Sequence, residues 1–425
     1  MKEDFLHFLW QNKLFPSSSL KSVANETIHI IKSGTHNLNT GPDFLNAHLK
    51  INNQLWIGNV EIHINSSDWY LHKHEEDKNY DAVILHVVWQ HDSDIFMKNN
   101  KPLPTLELHG LIDENLLNNY QSLFSKQLRW IPCEQQINET DPFLMSNWLE
   151  RLYFERLENK AVLIKELLAK SNNDFESVLF QLLAKNFGLK INGEAFLQLA
   201  QSFEFSVLKK IRFNEFQLSA LLFGQAEFLQ SEVEDSYFIQ LKNEYTYLKH
   251  KYKLLPISNG LFQFFRMRPT NFPTIRIAQL VALFFKHQNL FSKLMELNKL
   301  EDFYDLFSVA ISDFWKTHYT FETESKKSAK KLTKSFIDLL LVNTVLPLKF
   351  VYLQSRGEVN SDVFFKLMQQ IKPEKNSIIT KFSDIKITAI NAFESQALLE
   401  LKNNYCAKKR CLQCAIGTSL LRKKD

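Results

Sequence analysis

Gly41-Pro42-Asp43 leads into Phe44-Leu45-Asn46-Ala47-His48-Leu49-Lys50-Ile51, and the pair Asn52-Asn53 separates that run from Leu55-Trp56-Ile57-Gly58-Asn59-Val60-Glu61-Ile62-His63-Ile64. Both runs alternate as half-buried strands do, and the two asparagines between them predict a turn. Asp43 then sits at the edge of one strand, and Glu61 follows 18 positions later on its neighbour. Neighbouring strands that present carboxylates at the same end of a sheet can hold a hard cation, because Mg²⁺ takes oxygen ligands, commonly one or two carboxylates plus substrate phosphates. Side chains alternate with period two, so His63 points to the face that carries Glu61. The set pairs a metal site with a base, as metal-dependent phosphodiester cleavage requires.

The flanking sequence extends the pattern. Glu3 to Trp10, with Phe5, Phe8 and Leu9 at helical spacing, predicts a short opening helix. Thr27-Ile28-His29-Ile30-Ile31 predicts a first strand. Ser66-Ser67-Asp68 offers an N-cap, with a short helix expected through about Lys78. Ala82 to Trp89 is a nearly continuous apolar run, as in a strand buried on both faces. The expected order is helix, three strands, helix, strand: an α/β domain with a mixed sheet. Thr105 to Leu108 adds a further strand, and Asp113 to Phe124 a helix.

This order, with Pro-Asp on the second strand and Glu-x-His on the third, resembles the PD-(D/E)XK nuclease superfamily, the restriction-endonuclease-like fold, over roughly residues 1–110. The resemblance implies that Asp43 and Glu61 bind Mg²⁺ or Mn²⁺, with Glu3 on the first helix as a further acidic member. It places His63 where a lysine helps to activate the attacking water. It implies hydrolysis of phosphodiester bonds in nucleic acid, DNA ahead of RNA, in DNA processing or defence. A histidine at that position is a base, a metal ligand, or a replacement in an inactive descendant.

Nearly the full length also resembles an uncharacterised bacterial family, domain of unknown function 2851. The residues are Gly41-Pro42-Asp43-Phe44, Gly58 to His63, Ser67-Asp68-Trp69 with His72 and His74, Leu85 to Val88, Arg268 to Pro273, and the terminal cysteines. That resemblance implies no activity.

A chain of 425 residues predicts two or three domains. We expect the nuclease-like domain over 1–128, a linker over 129–142, and a mainly helical region over 143–425 with a cysteine-containing tail, because helical spacing dominates from Phe143 onward. The net charge of +4 gives no global electrostatic argument for nucleic acid. Met1-Lys2-Glu3-Asp4 does not read as a secretory signal. The most apolar window, Leu339 to Leu348, is interrupted by Asn343, Thr344 and Pro347, against the about 20 apolar residues of a membrane span. The expectation is a soluble, cytoplasmic protein with no membrane partner.

Three features of the helical region carry functional expectations. Lys326, Lys330 and Lys334 would line one face of a helix, with Lys327 and Lys331 beside them, as a track for a phosphate backbone or a solvated face. Arg266 and Arg268 precede Pro269-Thr270-Asn271-Phe272-Pro273, a rigid entry to an apolar helix over Ile275 to Phe285. They, with Arg276, would contact phosphate or pair with acids. Cys406, Cys411 and Cys414 lie within nine residues, and Cys133 is the one other cysteine. In a cytosolic chain that pattern points to Zn²⁺ or an iron–sulfur cluster with Cys133 as fourth ligand, or to ordinary reduced thiols.

Histidines 63, 72, 74 and 86 crowd one 24-residue stretch. With Glu61 they form an alternative site for Zn²⁺, Mn²⁺ or Fe²⁺. His86, inside the apolar strand, reads as a hydrogen-bonded core histidine, and His72 and His74 as residues of the site mouth or the surface. Two further readings therefore stand beside the nuclease. One is an inactive nuclease-like module that binds nucleic acid; the other is a His-rich transition-metal enzyme acting on a small molecule.

Overall fold

The computed structural model describes residues 1–16, 20–125, 129–258, 260–358 and 361–423. The border expected at residue 128 lies outside them. Compactness divides the chain into two units, residues 1–148 with 401–425 and residues 149–400.

The first unit is built on a mixed sheet. Helix α1 (Glu3–Asn12) buries Phe5, Leu6, Phe8, Leu9 and Trp10, and it packs on the strand that carries Glu61. It stops at Lys13, whose left-handed φ of 49° lets its N–H reach the carbonyls of Leu9 and Trp10. Strands β1 (Ile28–Lys32), β2 (Thr35–His36), β3 (Phe44–Ile51) and β4 (Gln54–Asn65) follow. Asn52 and Asn53 have φ of 46° and 65°, the left-handed pair that a tight two-residue hairpin requires.

After β4 come the short helix α2 (Asp68–Leu71), β5 (Val83–Gln90), β6 (Thr105–Glu107) and α3 (Glu114–Leu123). The strand order is β1-β3-β4-β5-β6, with β2 paired to β3 off that path. β1, β3 and β4 run antiparallel, and β5 and β6 join in parallel. A Cβ on Gly58 would lie 2.4 Å from Ile84 Cγ2 and 2.6 Å from the Ala82 carbonyl. Glycine there permits the close approach of β4 to β5.

Helix α2 is shorter than the helix expected through Lys78. Ser67 does not cap it; the Ser66 and Ser67 hydroxyls donate to Asp92 instead. Lys73 then takes a φ of 58°, which ends helical progress and turns the chain back toward the sheet.

The second unit is helical in all its regular elements. Helix α4 (Pro142–Lys170) carries the chain into it. Helix pairs follow, among them Phe175–Phe187 with Leu189–Gln201, and Glu215–Gln225 with Ser236–Tyr252. The segment Lys334–Arg356 is long and apolar enough to cross a membrane by length and composition, and 72% of that window is buried inside the protein. Asn343 and Pro347 do not break it. A π-turn over Leu341–Val345 absorbs the disruption, and Pro347 sits at the start of the next α-helical stretch, where its missing N–H costs little.

Two sequence expectations need correction here. Residues 325–333 form no helix, so Lys326, Lys330 and Lys334 share no helical face. Lys330 is buried at a φ of 41°, and its ammonium donates to the Trp315 and His318 carbonyls and to Ser325 Oγ at 2.7, 2.6 and 3.1 Å. Tertiary hydrogen bonds override the local spacing. The cysteine-bearing terminus, expected as a tail of the helical region, belongs to the first unit, where Ala415–Leu421 packs on α3.

Candidate functional site

Asp43 and Glu61 are locked together by the backbone of each other's strand. Glu61 Oε2 accepts the Asp43 N–H at 3.1 Å, and Asp43 Oδ2 accepts the Ile62 N–H at 3.0 Å. The turn before β3 sets this up. Asn37 donates from its side chain to the Thr40 and Pro42 carbonyls and from its N–H to the Asp43 carbonyl. Glu3, on the first turn of α1, faces the same place. Burial first, then the Asp43 charge, holds its carboxyl above the usual range, while His7 and His72 pull it down. Glu61 is also raised, by burial first, against the lowering effect of His74.

A cluster of imidazoles borders the carboxylates. His63 and His74 bring Nε2 to 3.5 and 3.3 Å from Glu61 Oε1. His63 Nε2 lies 3.1 Å from His72 Nδ1, and its Nδ1 lies 2.8 Å from His86 Nε2. The parallel register of β4 and β5 sets Glu61 opposite His86, which explains the second contact. Tyr80 stacks on His74 with ring centres 3.8 Å apart, and Trp69 meets both His74 and His86. Burial, then the neighbouring His74, His72 and His7, lowers the basicity of His63 to about 3. Burial likewise holds His86 well below its ordinary value. Both rings are neutral near pH 7, and one of their two lone pairs accepts the hydrogen bond between them.

Ligand atoms of His63, His72 and His74 all lie within 4.8 Å of one another. His7 Nε2 and His74 Nε2 are buried and each faces a carboxylate, Asp43 Oδ2 at 3.2 Å and Glu61 Oε1 at 3.3 Å. Imidazole nitrogens and carboxylate oxygens that converge in this way can serve as a cation-binding donor set. The oxygen donors suit Mg²⁺ or Mn²⁺, and the imidazoles suit Mn²⁺, Fe²⁺ or Zn²⁺.

Asp43, Glu61, His63 and Glu3 are thus brought together in the first unit. His86 is the hydrogen-bonded core histidine that its strand implied. Sequence reasoning missed His7, four positions after Glu3 on α1 and so one turn along the same face. Tyr80 was missed too, and no local pattern marked it. Arg266 and Arg268 are exposed, as are Lys326 and Lys334, all in the second unit. Arg276 is buried, bonded to Asn271 and Gln279 and laid over the Phe336 ring, so it holds the turn before Pro273–Lys286. Cys133, Cys406, Cys411 and Cys414 line one pocket of the first unit.

No curated protein matches the chain, and no solved structure does. A family model described as "Protein of unknown function (DUF2851)" matches residues 3–377, most of the chain. The chain therefore belongs to the DUF2851 family.

Proposed function

We propose that the first unit is a metal-dependent phosphodiesterase that acts on nucleic acid. The reciprocal clamp between Asp43 and Glu61, with Glu3 and His63 beside it, is the observation that carries this reading. The element order supports it. A helix, four strands paired antiparallel, a short helix and a parallel strand, with Asp43 just before β3 and Glu61 on β4, is compatible with the order that the resemblance to the restriction-endonuclease-like superfamily implies. Asp43 and Glu61 would hold Mg²⁺ or Mn²⁺, and Glu3 would complete the acidic side. When bound, such an ion polarises the scissile phosphate and acidifies a water. His63, neutral and tied through His86 to the core, orients that water rather than storing its proton. His7, beside Asp43 and raised in basicity by that carboxylate against the effect of burial, is placed to meet a phosphate oxygen. DNA is the preferred substrate over RNA, and the cytoplasm the expected location.

The imidazole trio favours a second reading, in which His63, His72 and His74 hold a transition metal for chemistry on a small molecule. Cleavage of labelled single- and double-stranded DNA and RNA with Mg²⁺ or Mn²⁺, wild type against Glu61→Ala, tests the first. Metal-dependent cutting that the variant loses supports it. Binding without cutting indicates an inactive module. Neither binding nor cutting, with tight stoichiometric zinc, indicates the second reading.

A further inference from the structure

All four cysteines of the chain are buried and free, and they converge on one pocket although Cys133 stands 273 positions before Cys406. Pro132, Leu401, Tyr405, Ile416 and Gly417 complete its wall. Free thiols scatter in proportion to their number; a meeting of every cysteine in the chain needs a reason. Disulfides do not supply it, because none is formed.

The backbone around the pocket is shaped to present sulfur. The N–H groups of Ile416 and Gly417 and the Trp148 side chain donate to the Cys414 sulfur. Burial raises the Cys414 thiol overall, and these donors oppose it by favouring the thiolate. Cys411 and Cys414 are joined by the tight turn Cys411–Gln413, and Gly417 closes on it. A Cβ there would lie 2.3 Å from the Cys411 carbonyl. The remaining thiols repel each other's ionisation. Burial first, then neighbouring sulfurs, pushes Cys133 and Cys411 up to about 12 and Cys406 higher still. A positive ion among them reverses that effect outright.

Four converging thiolates fit either of two occupants: one zinc, held at about 2.3 Å by each sulfur, or the separate irons of a [4Fe–4S] cube.

We infer that Cys133, Cys406, Cys411 and Cys414 are the four thiolate ligands of a metal centre, one zinc or an iron–sulfur cluster, that fastens the C-terminal segment into the first unit. The inference is independent of the proposed phosphodiesterase, since it concerns a different set of residues and a different readout.

The full-length chain, purified without oxygen, should contain a cysteine-held metal: about four irons and about four acid-labile sulfides, with broad visible absorption that dithionite bleaches, for a cluster, or about one zinc without sulfide for a single ion. Cys133→Ser and Cys414→Ser should each lose that metal while His74→Ala keeps it. Metal that the serine variants retain and His74→Ala loses overturns the inference. A metal-free protein whose four thiols all react once unfolded overturns the site itself. The wild-type content decides the matter even if the serine variants fail to fold.

Discussion

Buried charge is handled in opposite ways in the two units. In the second, each buried ammonium is satisfied by its own chain. Lys330 donates to two carbonyls and a hydroxyl, Lys160 to the Val342 carbonyl, Asn343 and Gln396, and Lys349 to the Leu297 carbonyl and Asn298. An ammonium has three donors, so little capacity is left for a ligand. In the first unit His7 and His74 turn a ring nitrogen to the Asp43 and Glu61 carboxylates instead. Ammonium groups saturated by carbonyls fasten a fold, whereas imidazoles gathered on carboxylates can exchange those partners for a ligand. Substitutions in the first unit should therefore cost activity, and those in the second should cost stability.

The largest effect belongs to Glu61, the carboxylate that faces both Asp43 and the histidines. Several kcal/mol of charge stabilisation from a bound cation corresponds to about a thousandfold in rate, so Glu61→Ala should reduce metal-dependent cleavage by that much. Its unfolding free energy should change by less than about 1 kcal/mol, since the lost hydrogen bond to Asp43 is offset by relief of a buried acid. Cleavage within tenfold of wild type would move the chemistry elsewhere. Lys330→Met provides the contrast. It strands the Trp315 and His318 carbonyls inside the second unit and should cost about 3 kcal/mol in urea unfolding. A loss below about 0.5 kcal/mol, the range of ordinary surface changes, would break the comparison.

What was legible in the sequence was local. β3 and β4 announce themselves by alternation and by the Asn52-Asn53 turn, and β5 by its unbroken apolar run, so the pairing of Asp43 with Glu61 and the facing of His63 could be read directly. Where long-range contacts decide, the reading failed. The lysines over 326–334 have helical spacing, yet acceptors from 5 to 15 residues away capture Lys330 and hold that stretch extended. The cysteine pattern allowed Cys133 to join the terminal cysteines, but nothing local marked the return of their segment to α3. His7 was overlooked because a lone histidine on an apolar helix signals nothing until Asp43 is seen beside it.

Removing one imidazole sharpens the contrast within the site. His74→Ala leaves the Asp43 carboxylate and the α1 acids in place, so Mg²⁺-dependent cleavage should persist. It takes one nitrogen from the trio, so the affinity for Zn²⁺ or Mn²⁺ by titration calorimetry should fall about tenfold to a hundredfold. Unchanged zinc affinity would remove the trio from any metal-binding role. Loss of both properties together would show that the carboxylates and imidazoles share one ion.

The smallest effect tests whether the imidazoles are held neutral. Above about pH 6.5, His63 and His86 are neutral in folded and unfolded chain alike. As pH falls, the unfolded chain takes protons that the buried rings refuse, because burial depresses His63 to about 3 and His86 well below its ordinary value. Stability is then lost on acidification, by at most about 1.4 kcal/mol per pH unit for each ring, down to the folded values. Glu3 and Glu61 act in the opposite sense. Burial raises both, so the stability they contribute is present in acid and fades as pH rises through their folded values, blunting the slope at its acid end. Metal-free protein, unfolded in urea between pH 7.5 and 5, should hold its stability to about pH 6.5 and weaken below it, and His86→Asn should weaken less steeply by roughly one ring's share. Equal slopes would mean that His86 is protonated in the fold, and His63 would not rest against a neutral ring.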